Sequence, residues 1–95
     1  MSAYVVARIE VTDGDRYQEY VKATPAILAR YGGRFIARGG QITTLEGPLE
    51  TRRVVLIEFP SAEQAQAWYH SQEYQDVKKL RQGTATASII TIDGC

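Results

Sequence analysis

The sequence predicts an α+β fold with the element order β-α-β-β-α-β, and three observations lead to it. Four segments alternate or are rich in β-branched residues, as strands are, and two segments repeat apolar residues at helical spacing. Glycine, proline and short polar turns separate these segments. The 95 residues are the length of one domain, residues 1–95. The predicted strands cover residues 4–11, 34–38, 53–59 and 84–93, and the predicted helices cover 15–31 and 61–81.

The first half of the chain contains a strand, a helix and a second strand. Residues 4–11 alternate around a β-branched core. Pro25 falls inside the predicted helix, where it removes a backbone donor and favours a bend. Gly32 and Gly33 predict that the helix ends in a left-handed cap. Gly39 and Gly40 interrupt the second strand, and we expect residues 42–46 to continue as extended chain.

The second half begins with the most apolar strand. Residues 53–59 are apolar on both faces, which is typical of a central strand. Ser61 and Gln64 have the spacing of a capping box and predict the start of a helix. Ser71 predicts a second helical start, after which apolar residues continue at helical spacing to Arg81. The last strand follows the Gly83 turn.

Two successive β-α-β units with right-handed crossovers place both helices on the same face of the sheet. This arrangement is the ferredoxin-like plait, with strands one and three in the centre. By alternation, Val5, Ala7 and Ile9 face the helices, as do Val55, Ile57 and Phe59. The opposite face carries Tyr4, Val6, Arg8, Ile36, Arg38, Val54, Leu56, Glu58 and either Ile90 with Ile92 or Ile89 with Thr91. Such a face is too apolar for open water, so we expect a homodimer whose sheets pack face to face, a dimeric α+β barrel.

Arg8, Arg38 and Glu58 are the charged residues predicted to share this open face, each near the end of its strand. Buried charges are costly unless they are paired or bind a ligand. One interpretation is an ion cluster that fixes the dimer. The other is an anion- or carbonyl-binding pocket, in which the arginine fork orients a polar group and Glu58 accepts or moves a proton.

Other side chains are weaker candidates for the same pocket. Trp68, Tyr69 and Tyr74 fall at helical spacing and belong to the core or to a pocket wall. Glu46, beside a Gly-Pro turn, is a solvated residue or a partner for Arg38. The pair Arg52-Arg53 opens strand three, where we expect it to be solvated.

His70 is the only histidine and Cys95 the only cysteine, so they form no zinc ligand set. We expect His70 to lie on the surface at the break between two helical segments. We expect neither a metal nor a cofactor.

Composition excludes several classes of protein. Eleven basic and eleven acidic residues give a formal net charge of zero. Nucleic-acid binding is therefore not expected, since it usually requires a basic excess. Strand three also offers Val54, Leu56 and Glu58 where RNA-binding plaits place stacking aromatics. The single cysteine, the absence of an apolar run of about 20 residues and the lack of a signal-like start favour a cytoplasmic protein with no membrane segment.

Five motifs in order resemble the family catalogued as domain of unknown function 1330, over nearly the whole chain. They are GGRFIARGG (32–40), LEG (45–47), VVLIEFPS (54–61), AWYHSQEY (67–74), and Arg81 followed by ATA (85–87). The resemblance implies a dimeric α+β barrel whose relatives by fold include cofactor-free monooxygenases, isomerases, lyases and haem-handling proteins. His70 and Gln72 depart from the family pattern, which usually has Asp or Asn, and Pro, at these positions. The recurring family residues map onto Arg38, Gly39, Gly40, Glu46, Glu58, Trp68, Tyr69, Tyr74 and Arg81.

Two functional hypotheses follow. In the first, the barrel interior binds a small molecule, and the protein is either a binding protein or an enzyme that needs no cofactor and acts on a small organic acid or an oxidisable aromatic compound. In the second, it is a non-catalytic dimeric module whose charges set the dimer register. The sequence leaves open whether any turnover occurs.

Overall fold

The computed structural model describes all residues 1–95 and confirms the element order. The second predicted helix is divided at Ser71 into two helices and a final 3₁₀ turn. None of these helices is long and apolar enough to cross a membrane. The strands are β1 (Ala3–Val11), β2 (Arg34–Arg38), β3 (Arg53–Phe59) and β4 (Ala85–Asp93); the helices are α1 (Gly14–Arg30), α2 (Ala62–His70) and α3 (Gln72–Lys78), followed by the 3₁₀ turn Lys79–Arg81.

The four strands form one antiparallel sheet in the order β2-β3-β1-β4. The prediction that strands one and three lie in the centre is confirmed. Ile57 is opposite Val5 and Val55 is opposite Ala7, so their side chains share the helix-facing side and form the core with Phe59. The expected alternation is therefore correct for both central strands.

Each helix begins at a residue whose side chain satisfies a free backbone N–H group. Asp13 accepts from the amide of Arg16 at the start of α1, and Ser61 accepts from Gln64 at the start of α2. Ser71 does the same for α3. Gly32, at φ +80°, ends α1 as predicted.

A β-bulge in β2 overturns the predicted direction of Arg38. The register pairs Phe35 with Ile57 and Ala37 with Leu56, so Ile36 is the extra residue. An extra residue inverts the alternation beyond it. Arg38 is consequently opposite Val55, on the helix-facing side of the sheet, and not on the open face.

The open face of the sheet is broad and partly apolar. Tyr4 is opposite Ile92 and Val6 is opposite Ile90. In the last strand, the residues on the open face are therefore Ile90 and Ile92, and not Ile89 and Thr91. Ile90 and Ile92 are both more than half exposed. The molecule is a slab of 33 × 32 × 16 Å, with helices covering only one of its two large faces. Residues 42–46 are not paired into the sheet.

Candidate functional site

An apolar cavity of about 40 Å³ lies between the helices and the sheet. Its floor is the helix-facing side of β1 and β3, from Ile9 to Val5 and from Arg53 to Ile57. Leu28 of α1 and Trp68 of α2 also line it. The cavity is thus inside the subunit, on the opposite side of the sheet from the pocket that the sequence predicted.

Three arginines are the only charged residues that line this cavity: Arg38, Arg53 and Arg81. They come from the end of β2, the start of β3 and the 3₁₀ turn after α3, three segments far apart in sequence. Arg53 is opposite Ile9 in the register, so the positive charge is concentrated at that end of the cavity. The Val5 and Ile57 end is apolar.

The ion pairs of the chain separate its arginines into two groups. Five of the eight arginines have a carboxylate partner within 4 Å, and none of these five lines the cavity. The three without a carboxylate partner are those of the cavity. Although the whole chain has no net charge, this site therefore holds three positive charges that the protein does not neutralise. The paired arginines are Arg8 with Glu50, Arg16 with Asp13, Arg30 with Glu73, Arg34 with Glu58 and Arg52 with Glu50.

Three buried side-chain nitrogens have no hydrogen-bond partner in the protein, and all three belong to residues that line the cavity. They are Nε of Arg53, Nε of Arg81 and Nε1 of Trp68. Almost all buried donors in proteins are satisfied, since an unpaired one costs about 1–3 kcal/mol. The cavity is therefore bordered by unused donors.

Arg38 differs from the other two because it is anchored to α1. Its Nη2 donates to the carbonyl of Val21 at 2.7 Å and to Oγ1 of Thr24 at 3.3 Å. The guanidinium also lies 4.2 Å from the ring centroid of Phe35. Burial lowers the pKa of Arg38, and the nearby charge of Arg53 lowers it further. The influence of Arg53 on the pKa of Arg38 indicates that the two guanidinium groups are close enough to repel each other.

Tyrosines form the wall next to the arginines. The hydroxyls of Tyr20 and Tyr74 are 2.7 Å apart, and the guanidinium of Arg81 lies 5.6 Å from the Tyr20 ring centroid. Burial raises the pKa of Tyr20, and the neighbouring Tyr74 raises it further. Burial also lowers the pKa of Arg81, but the Tyr74 and Tyr20 hydroxyls outweigh it, so the net shift is upward. Tyr20 is therefore a neutral phenol at physiological pH.

Tyr17 shows that the three arginines converge. Burial raises the pKa of Tyr17, while the positive charges of Arg53, Arg81 and Arg38 each oppose this rise. All three guanidinium groups therefore lie within electrostatic reach of a single hydroxyl.

The predicted convergence of Arg8, Arg38 and Glu58 does not occur. Glu58 is opposite Tyr4 and Arg8 is opposite Val54, so these two charges lie at opposite ends of the open face. Each already has a partner. Nε of Arg8 is 3.2 Å from Glu50, and Nη2 of Arg34 is 2.6 Å from Glu58.

The remaining candidate residues do not lie together at one site either. Glu46 is exposed in the loop over the open face and forms no ion pair with Arg38. Tyr69 accepts a hydrogen bond from Nζ of Lys78, outside the cavity. His70 is exposed at the end of α2, as predicted. Of the eight candidates, Arg38, Trp68 and Arg81 line the cavity, and Tyr74 supports it through Tyr20.

Sequence reasoning missed Arg53, Tyr17 and Tyr20 as site residues. Arg53 was expected to be solvated, but its Nε is buried at the cavity. Strand alternation contained the signal, because Arg53 has the same parity as Val55 and Ile57. Tyr17 and Tyr20 lie three residues apart in the predicted helix 15–31, and this spacing indicates a buried helix face without marking a site.

These features define a class: an α+β protein with the ferredoxin-like plait that encloses a mainly apolar cavity with arginines at one end. The chain belongs to the family described as "Domain of unknown function (DUF1330)", whose model matches residues 2–95. Among curated proteins, none matches the sequence.

Solved structures support the fold. A protein of unknown function from Rhodopseudomonas palustris is 18% identical with a TM-score of 0.79, over 99% of this chain and 82% of that one. SnoaB, a cofactor-independent oxygenase from Streptomyces nogalater, is 12% identical with a TM-score of 0.71, over 99% and 93%. A dimeric protein of unknown function and ferredoxin-like fold from Bacteroides fragilis is 13% identical with a TM-score of 0.65, over 98% and 96%.

Proposed function

We propose that this protein binds a small organic molecule in the cavity between its helices and its sheet. One observation carries the proposal: the buried donors without a partner, on Arg53, Arg81 and Trp68, all belong to the lining of this cavity. An occupant with acceptor atoms would satisfy them, and the apolar walls would hold the rest of the molecule.

The size of the cavity determines how a ligand enters. Its volume of about 40 Å³ is far below the roughly 300–1,000 Å³ of typical ligand sites. A ligand larger than a few atoms therefore has to open it. Arg38 and Arg81 are long, partly exposed side chains at the charged end, and side chains of this kind rearrange readily while their heads stay in water. We propose that entry occurs there.

The second part of the proposal is a homodimer formed through the open face. The molecule measures 33 and 32 Å along its two long axes, so its open side is on the scale of the approximately 800 Å² per partner of a stable interface. This face carries Val6, Leu56, Ile90 and Ile92, together with ion pairs near its edges. A second copy matches such a face, because a two-fold axis brings each apolar centre against its equivalent. The dimeric neighbour from Bacteroides fragilis has the same plait.

The third part concerns catalysis. We propose that the bound molecule is transformed without a cofactor, a small organic acid or an aromatic compound being the substrate. The description of SnoaB as a cofactor-independent oxygenase supports this at the level of fold alone. The alternative is a non-catalytic dimeric module. Its support is that Arg8 and Glu58 are already satisfied by ion pairs on the face that would join the subunits.

A ligand screen with a matched variant tests the binding proposal. Ala87 lines the cavity, so Ala87→Leu adds volume where a ligand would sit. Mixtures of small metabolites are equilibrated with both proteins, and the retained molecules are identified by mass spectrometry. We expect a compound that the original protein retains and Ala87→Leu does not. Retention that is equal for both proteins, or no retention at all, would overturn the cavity as the binding site. Incubation of the retained compound with the protein, followed by mass spectrometry and a dioxygen electrode, then separates an enzyme, which changes the compound, from a binding module, which returns it unchanged.

A further inference from the structure

We infer that the cavity takes a monocarboxylate with an apolar body, and that its carboxylate binds between Arg53 and Arg81. This inference rests on the proposed function and names the ligand class for the same site.

The sign of the ligand charge follows from the arginines. Three guanidinium groups line the cavity, and no carboxylate does. Uncompensated charges in a partly buried site are strongly unfavourable, and they are retained where an opposite charge completes them. A metal cation or an ammonium compound would add to the repulsion. The missing partner is therefore an anion.

The position of the anion follows from the hydrogen bonds. Arg38 already donates to Val21 and Thr24. Arg53 and Arg81 each have a buried Nε with no partner. A carboxylate offers two oxygens with lone pairs that suit guanidinium donors, so one group can accept from both arginines. The repulsion between Arg38 and Arg53 would fall at the same time.

The apolar body follows from the other end of the cavity. Along β3, Arg53 and Ile57 are separated by roughly 13 Å of strand. Between them the floor is Val55, and beyond them the walls are Leu28 and Trp68. A free phosphate or sulfate would fill only the arginine end, whereas an acid with an aliphatic or aromatic body uses both ends.

The chain contains its own reporter for the test. Trp68 is the only tryptophan, it is 3% exposed and it lines the cavity. Its fluorescence therefore reports on the surroundings of this one residue at the cavity wall. The probes are hexanoate and hexanamide, which match in shape and differ in charge. Butyrate and sulfate complete the set, in a buffer free of carboxylates and phosphate.

For the original protein, we expect hexanoate to bind at least ten-fold more tightly than hexanamide. Butyrate should bind more weakly than hexanoate, by up to about four-fold per methylene. Arg53→Met should weaken hexanoate binding at least ten-fold and leave hexanamide within two-fold. The affinity of Arg53→Lys for hexanoate should lie between those of the original protein and of Arg53→Met. Lysine keeps the positive charge but lacks the planar guanidinium that donates two parallel hydrogen bonds. Arg30→Met is the control, since Arg30 pairs with Glu73 away from the cavity.

Equal binding of acid and amide would overturn the inference and leave the proposed function intact. Sulfate binding as tight as that of hexanoate would overturn the inference that the ligand has an apolar body. If neither acid changes the Trp68 fluorescence at millimolar concentration, while the metabolite screen finds a neutral ligand excluded by Ala87→Leu, the inference fails and the cavity remains a site. If both experiments are negative, the proposed function fails as well. The comparison of acid with amide needs no variant, so a misfolded Arg53 variant does not weaken it.

Discussion

The guanidinium of Arg38 occupies the hydrogen-bonding position that Pro25 leaves vacant in α1. In an uninterrupted helix, the amide of residue 25 would donate to the carbonyl of Val21, four residues earlier. Proline has no amide hydrogen, and Nη2 of Arg38 donates to that carbonyl instead, at 2.7 Å. A helix-breaking residue thus creates the anchor that holds a strand arginine at the cavity.

This relationship predicts coupling between the two positions. Arg38→Met should destabilise the protein because it leaves the Val21 carbonyl only the longer hydrogen bond from Oγ1 of Thr24, at 3.3 Å. In a Pro25→Ala background, the restored amide bonds that carbonyl, so Arg38→Met should cost about 1 kcal/mol less. Urea denaturation of the four proteins measures the coupling. Strictly additive effects would show that Arg38 does not substitute for the missing amide.

Gly39 provides the space for the guanidinium of Arg53. Its φ is +70°, and a Cβ built on it would lie 2.7 Å from Cζ of Arg53. We expect Gly39→Ala to lose about 1–2 kcal/mol of stability from the left-handed backbone alone, and to displace Arg53 as well. Gly40→Ala is the matched control, because a Cβ there meets nothing within 4 Å. Thermal unfolding and the hexanoate titration distinguish the two effects. Equal stability and equal affinity in both variants would contradict this role of Gly39.

The open face predicts the oligomeric state. Ile90, on the edge strand β4 of this face, is 56% exposed, and Leu80, on the helix layer, is 44% exposed. Ile90→Glu should convert dimers into monomers, since an interface of this size does not tolerate two buried carboxylates. Leu80→Glu should leave the dimer unchanged. Light scattering at micromolar concentration measures the mass. Monomers of the original protein, or dimers of Ile90→Glu, would exclude the open face as the interface.

Buried tyrosines predict a loss of stability at alkaline pH. The pKa values of Tyr17 and Tyr20 are raised above the ordinary value of 10.0, chiefly by burial. A raised pKa stabilises the fold fully below the unfolded-state value and less as the pH rises above it. The free energy of unfolding should therefore be constant up to about pH 9 and fall above pH 10. Tyr20→Phe should show a shallower fall in a series of denaturation curves. If the free energy of unfolding of Tyr20→Phe falls with pH at the same slope as that of the original protein, Tyr20 does not cause the loss of stability.

The fold could be predicted from the sequence because each element has a local signal. Strand alternation fixed the helix-facing side of β1 and β3, and Ser61 and Ser71 marked the two starts of the divided helix. The site could not be predicted to the same extent. The bulge at Ile36 depends on pairing between strands, and it changes which side Arg38 faces. The partners of Arg8 and Glu58 were also unpredictable, since they come from a loop and from a neighbouring strand.

The central claim is that unpaired arginines on the helix side of the sheet hold an organic carboxylate. A crystal structure of the protein with hexanoate tests it most directly. We predict electron density in the cavity, with the carboxylate oxygens within hydrogen-bond distance of Arg53 and Arg81 and the acyl chain against Trp68. Hexanoate located on the open face between subunits, or a cavity that excludes it at saturating concentration, would contradict the claim.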